Sequence, residues 1–301
     1  MRIFLLPVST RRTLIYCERV QHNTKPGQPE PYTERIVNKA AQTWAGFEKA
    51  EKGWRKQLTY YGNQLFKRIP YEEWGLKSFP PATKQRLEEV DQGKHGFECL
   101  YPGTFMKGRS VTELLKKLAT ERQAFHRRSM WTSIVWLPIT IPFALVPVIP
   151  NIPFFWFAFR AYSHYRALYG GMLLEHITTK GLVQPKDSRV MDELYAAGLL
   201  NPTRQASRES TSPGDAEIAK VVAQVEDQQK QGDAEVVLLQ RWNGKLIAEA
   251  FELSEMEIEI ERAVEQVEKA IQASNEKTGA KTVQESATGQ PDEKVHDETK
   301  R

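Results

Sequence analysis

Catalysis or metal binding in this chain would have to come from six histidines, two cysteines and scattered carboxylates. His22, His95, His126, His164, His176 and His296 stand apart, with no two at the spacing at which zinc ligands recur beside cysteines or carboxylates. Glu175 and His176 are an adjacent acid and imidazole, but neighbours on a helix point about 100° apart. Cys17 and Cys99 form no CxxC pair and read as buried thiols. Glycine-rich phosphate loops are missing, as are GxSxG and HExxH. The expectation is a protein that is not an enzyme and holds no cofactor or metal.

The chemistry that remains belongs to an uncharged stretch and the arginines around it. Between Arg128 and Arg160 lie 31 residues without charge, SMWTSIVWLPITIPFALVPVIPNIPFFWFAF. They exceed the roughly 20 needed to cross a hydrocarbon core of about 30 Å as a helix, which predicts a membrane segment. Pro138, Pro142, Pro147, Pro150 and Pro153 each remove a backbone donor and crowd the carbonyl four residues back, at about 3 kcal/mol in a soluble helix. With Asn151 they predict a broken path. Either residues 129–149 span once as a kinked helix, or the chain turns near 150–153 and leaves as a re-entrant hairpin. Trp131, Trp136 and the run 154–157 suit interfacial belts in both geometries. Arg122, Arg127, Arg128, Arg160 and Arg166 flank the stretch and are expected to fix its depth through headgroups, at about 1 kcal/mol per cation near an anionic surface. Only Ser129, Thr132, Ser133, Thr140 and Asn151 supply conventional polar side chains within it, so unaided proton transport is not expected. Carbonyls freed by the prolines offer a conducting path only if several copies assemble.

Elements that position this segment follow from pattern and charge. Residues 2–7 and 12–18 are short apolar runs reading as a strand hairpin, and 97–101 (FECLY) reads as a third strand. Residues 33–68 carry Trp44, Phe47, Trp54, Leu58, Tyr61 and Leu65 at helical steps, predicting an inward face. Residues 107–128 form a basic amphipathic helix. The formal charge of +4 is unevenly shared: residues 1–202 hold 29 basic and 17 acidic side chains, and the remainder 13 and 21. A basic front half suits anionic membrane lipid, and no nucleic-acid partner is expected. NPTRQASRESTSPGD, from 201, reads as a mobile linker. Beyond it, Ile260, Val264, Val267 and Ile271 mark one seam of a coiled coil, or of a helix packed on the basic front half. Residues 274–301 are expected to be disordered.

Three blocks, RIFLLPVSTRRTLIYC, FKRIPYEEWGLKSFPP and FALVPVIPNIPFFWFAFRAYSHYRALYGG, resemble the mitochondrial potassium/proton exchange-related family over about residues 2–180. The resemblance implies a mitochondrial inner-membrane protein supporting formation or regulation of potassium/proton exchange, partnered by an exchanger or by copies of itself. It implies no catalytic or ion-binding residues. Its opening block starts at the N-terminus, which argues against a removable leader. The full expectation is a mainly α membrane protein. It comprises an N-terminal basic α+β domain (1–128), a proline-broken membrane segment (129–159), juxtamembrane helices (160–202), a linker with an acidic helical tail (203–273) and a disordered end (274–301). The alternatives are an oligomeric ion-conducting subunit and a lipid-handling or assembly scaffold.

Overall fold

The computed structural model describes residues 1–18, 32–142, 151–232 and 235–288. Its centre is a mixed four-stranded sheet of β1 (Arg2–Pro7), β2 (Thr13–Cys17), β3 (Phe97–Tyr101) and β4 (Val183–Asp187), in the order β2-β1-β3-β4. β1 and β2 pair antiparallel, Leu5 opposite Ile15, while β1–β3 and β3–β4 are parallel. β4 was not foreseen. Its Pro185 lacks an N–H and is tolerated because β4 lies at an edge.

From Ile3 onward β1 is apolar without interruption because both faces of the sheet are covered. Ile3 and Leu5 point to one side, into a core shared with Ile15, Cys17, Phe97 and Cys99. Around that side pack α3 (Tyr71–Ser78), α4 (Lys84–Asp91), α5 (Val111–Thr120) and α7 (Ile152–Thr179). Phe4 and Leu6 point to the other side with Leu14, Tyr16 and Leu100. There they meet α8 (Arg189–Leu200), α11 (Asn243–Ala250) and α12 (Ser254–Thr288). The seam of Ile260, Val264 and Val267 therefore faces the chain's own sheet rather than a coiled-coil mate. Helix also continues through 274–288, where disorder was expected, and 289–301 lie outside the described residues. Within the expected linker, α9 (Arg204–Glu209) pairs Arg204 with Glu249 at 2.8 Å, and α10 (Asp215–Gly232) follows it.

Residues 33–68 divide at Gly53, whose φ of +88° few other residues adopt, into α1 (Tyr32–Glu48) and α2 (Trp54–Lys67). The two meet through Trp44–Phe66 and Phe47–Trp54, but Trp54, Tyr61 and Leu65 remain exposed, against the expected inward face.

The membrane expectation is corrected here. Among the described residues no helix is long and apolar enough to cross a membrane. The uncharged run is shared between the end of α6 (Gln123–Thr140) and the start of α7, with 143–150 outside the described residues. Each helix completes its length with charge, Arg127 and Arg128 in one and Arg160 and Arg166 in the other, so neither offers a continuous apolar span. Pro138 sits inside α6 and Pro142 just beyond its end. Asn151 caps α7 by accepting from the Phe154 N–H, and Pro153 occupies the first turn, where its missing donor costs nothing. Pro147 and Pro150 lie outside the described residues.

Candidate functional site

α6 is built inside out. Its buried residues are polar: His126, Ser133 and Thr140, seven apart and on one seam. Its outward residues are apolar: Trp131, Val135, Trp136 and Ile139. The seam lies antiparallel against α7. The Ser133 and Thr140 hydroxyls donate to carbonyls of their own helix, at Ser129 (2.9 Å) and Leu137 (2.7 Å), which satisfies them without a partner across the interface. Trp136 stacks on Phe157 with centroids 5.8 Å apart, and the Asn151 amide donates to the Thr140 carbonyl at 2.7 Å.

At the root of this hairpin three helices bring five polar side chains together. Glu73, from α3, is 1% exposed. Arg160, Ser163 and His164 share one face of α7, since they stand three and four residues apart. Arg160 Nη1 donates to Glu73 Oε1 at 2.8 Å and Nη2 to Oε2 at 3.1 Å, a two-pronged pair. The Ser163 hydroxyl adds a donor to Oε1 at 2.5 Å. His164 Nε2 lies 2.8 Å from Arg160 Nη2, and its Nδ1 lies 3.0 Å from His126 Nδ1 and 3.8 Å from Glu73 Oε2. α3 can come this close because α7 presents glycine there: a Cβ on Gly170 would stand 2.1 Å from the Leu76 carbonyl oxygen.

The partners dictate the tautomers. Arg160 can only donate, so His164 Nε2 must accept and its proton resides on Nδ1. That proton is donated to His126 Nδ1, which leaves the other His126 proton on Nε2, buried and without a hydrogen-bond partner. Burial depresses both imidazoles to about 4, against a smaller opposing pull from the Glu73 carboxylate. Burial by itself would raise Glu73, but the Ser163 and Arg160 hydrogen bonds and the guanidinium charge outweigh it and hold the carboxyl below its ordinary range. At neutral pH the site thus contains an ionised carboxylate, a guanidinium and two neutral imidazoles. One turn along α3, the Lys77 ammonium lies 3.4 Å from the centre of the Trp74 ring, and burial lowers it to about 7.

The five arginines expected at headgroups divide. Arg160 is committed to Glu73. Arg122 pairs with Glu72 at 2.9 Å, and Arg166 donates to the Lys77 and Phe79 carbonyls at 3.0 and 3.3 Å. Arg127 and Arg128 are exposed, without an ion pair among the described residues. Of the proline positions, Pro138 lies inside α6, Pro142 just beyond it and Pro153 in the first turn of α7. Glu73, His126 and His164 escaped the sequence reading because ligand-spacing rules are local. A usable signal was present, however: His126 and His164 lie equally far from residue 145, so a helical hairpin centred there sets them level.

A mixed sheet covered on both faces, with a buried acid–guanidinium–imidazole cluster under a helical hairpin, defines the architecture. Residues 2–178 match the family described as mitochondrial K+-H+ exchange-related, and the chain belongs to that family. It is 26% identical over 205 residues to the uncharacterized protein C23H3.12c of Schizosaccharomyces pombe, covering 67% of this chain and 87% of that one. Against the uncharacterized protein YDL183C of Saccharomyces cerevisiae it is 22% identical over 234 residues, covering 70% and 73% respectively. No solved structure matches. The matched region takes in β1–β3 and α1–α6 and nearly all of α7, and so contains the whole cluster.

Proposed function

We propose that this protein is an accessory factor supporting the formation or regulation of potassium/proton exchange at the mitochondrial inner membrane, rather than an enzyme. It rests on the lipid surface through the outward face of the α6–α7 hairpin and does not cross it. The observation that carries this reading is the inverted α6. Trp131, Val135, Trp136, Ile139, Ile141 and Phe155 are 46–63% exposed while the polar seam is buried. A helix that hides serine and threonine and displays tryptophan is arranged for surroundings other than water. Arg127, Trp131, Val135 and Ile139 follow one another at steps of four, so the apolar stripe begins with a cation. No acidic residue occurs from 122 to 174, which suits the anionic headgroup layer better than a mixed-charge protein surface.

Two measurements test it. Mitochondria lacking the protein should swell more slowly in potassium acetate, a process that requires potassium/proton exchange. The protein should float with vesicles containing anionic lipid and not with zwitterionic ones. The exposed-site variant Trp131→Glu/Val135→Glu/Ile139→Glu should lose flotation with its thermal unfolding unchanged. Normal swelling without the protein, or full flotation of the triple variant, refutes the reading.

A further inference from the structure

We infer that Glu73, His126 and His164 form a binding site for a divalent transition-metal ion, with zinc the best-suited occupant. This is independent of the lipid contact and concerns the opposite, buried end of the hairpin. One donor atom from each residue, two imidazole nitrogens and a carboxylate oxygen, lies within 4.8 Å of the others, and all three residues are buried. Four ligands around zinc at about 2.0–2.1 Å stand roughly 3.3 Å apart. The two Nδ1 atoms are 3.0 Å apart, His164 Nδ1 is 3.8 Å from Glu73 Oε2, and no two of the three donor atoms are more than 4.8 Å apart, so binding has to draw the Glu73 carboxylate and His126 together to complete three corners. Two imidazoles and a carboxylate, with a fourth position left for water, are a donor set that suits zinc. A second observation points the same way. The imidazoles face each other over a single shared proton, leaving the other nitrogen of the 99% buried His126 without a partner. A core built only for packing has no use for such a pair.

The surroundings state what binding must rearrange. The His164 proton now on Nδ1 has to move to Nε2, freeing Nδ1 for the metal with no net loss of protons from that ring. The new Nε2–H then meets Arg160 Nη2 at 2.8 Å, donor against donor, so Arg160 must leave His164. It can do so while keeping Glu73 Oε1 through Nη1, with Oε2 turned to the metal. The guanidinium and the metal therefore compete for one carboxylate, and Arg160 is the residue that weakens the site. An occupied site would join α3, α6 and α7 through a single ion.

The test uses the full-length protein freed of metal and titrated with Zn2+ by calorimetry, and with Co2+ by visible absorption. One equivalent should bind, and Co2+ should give the intense absorption of a four-coordinate site with nitrogen and oxygen donors. His126→Gln should weaken binding at least tenfold. Arg160→Gln should tighten it about tenfold. It should also melt lower than the parent when metal-free and recover on adding Zn2+, a pattern that a packing role for Arg160 does not give. His176, 2.7 Å from Asp91, is an exposed acid–imidazole pair and serves as the control. Three results overturn the site: no stoichiometric binding by the parent protein, binding that survives His126→Gln but disappears in His176→Gln, or weaker binding by a folded Arg160→Gln.

Discussion

Replacing Glu73 by leucine removes the carboxylate on which Arg160, Ser163 and, at longer range, His164 converge. The side chain of Glu73 is 1% exposed and that of Arg160 16%, so water cannot take over the pairing. A buried guanidinium left without its counter-charge costs about 3–5 kcal/mol, far more than the 0–1 kcal/mol of an exposed pair. Arg160→Met should cost a similar amount by stranding the carboxylate. The double variant Glu73→Leu/Arg160→Met strands neither charge, and its penalty should fall to about 1–2 kcal/mol, the hydrogen bonds lost by Ser163 and His164. The two substitutions should therefore couple favourably by several kcal/mol. Urea unfolding in the presence of a chelator, followed by both circular dichroism and tryptophan fluorescence, reads this directly. Each single variant should lower the midpoint by roughly 1–2 M at unchanged slope, and the double should recover most of it. A single-variant loss below about 1 kcal/mol, or a double variant equal to the sum of the singles, refutes the account of a desolvated pair.

Stability should also depend on pH through the two histidines. The folded protein holds both at about 4, because burial disfavours the charged ring, whereas the unfolded chain protonates them near 6.5. Between these values the unfolded state binds more protons. Stability should therefore be full above about pH 6.5 and fall as the pH approaches 4. A displacement of that size corresponds to at most about 3 kcal/mol per imidazole, and the two rings titrate as a coupled pair. His126→Gln should flatten the slope of unfolding free energy between pH 7 and 4.5, and an unchanged slope would exclude this origin. Gly170→Ala should destabilise by about 1–3 kcal/mol, because the new methyl would stand 2.1 Å from the Leu76 carbonyl and force α3 and α7 apart. The same change at Gly46, inside α1 and facing open space, should instead stabilise by about 0.5–1 kcal/mol in thermal unfolding.

Much of the sheet was legible because strands report their surroundings locally. The 2–7 and 12–18 runs and FECLY are short, apolar and bounded by turn residues, and each became a strand. The spacing of Ile260, Val264 and Val267 likewise identified the buried face of α12. Periodicity reveals that a face is covered without saying by what, and here the cover is the sheet rather than a second helix. The membrane expectation went wrong for a related reason. A hydropathy sum over 129–159 counts apolar residues without registering that α6 stops at Thr140 and α7 begins at Ile152 with their axes reversed. The hairpin alternative put its turn near 150–153, where Asn151 instead caps α7 and Pro153 fills its first turn. With that register His126 and His164 never face each other. Glu73 lay further from reach, since only the packing of α3 on the glycines of α7 brings it in.

The same register ties the two ends of the hairpin together. His126 and Arg127 are adjacent on α6, one turned to the buried seam and the other to the exposed stripe. A rigid helix cannot turn one face without turning the other. The close His126–His164 approach at the root, the Trp136–Phe157 stack midway and the Asn151–Thr140 hydrogen bond near the far end hold α6 in a single rotation about its axis. That rotation presents Trp131, Val135 and Ile139 outward. Had α6 been turned by half a revolution, its stripe would lie against α7 and Ser133 and Thr140 would face out, the ordinary arrangement for a helix in water. The contacts that cross to α7 at His126, Trp136 and the Thr140 carbonyl favour the inverted arrangement, while the Ser133 and Thr140 hydroxyls are satisfied within α6 itself.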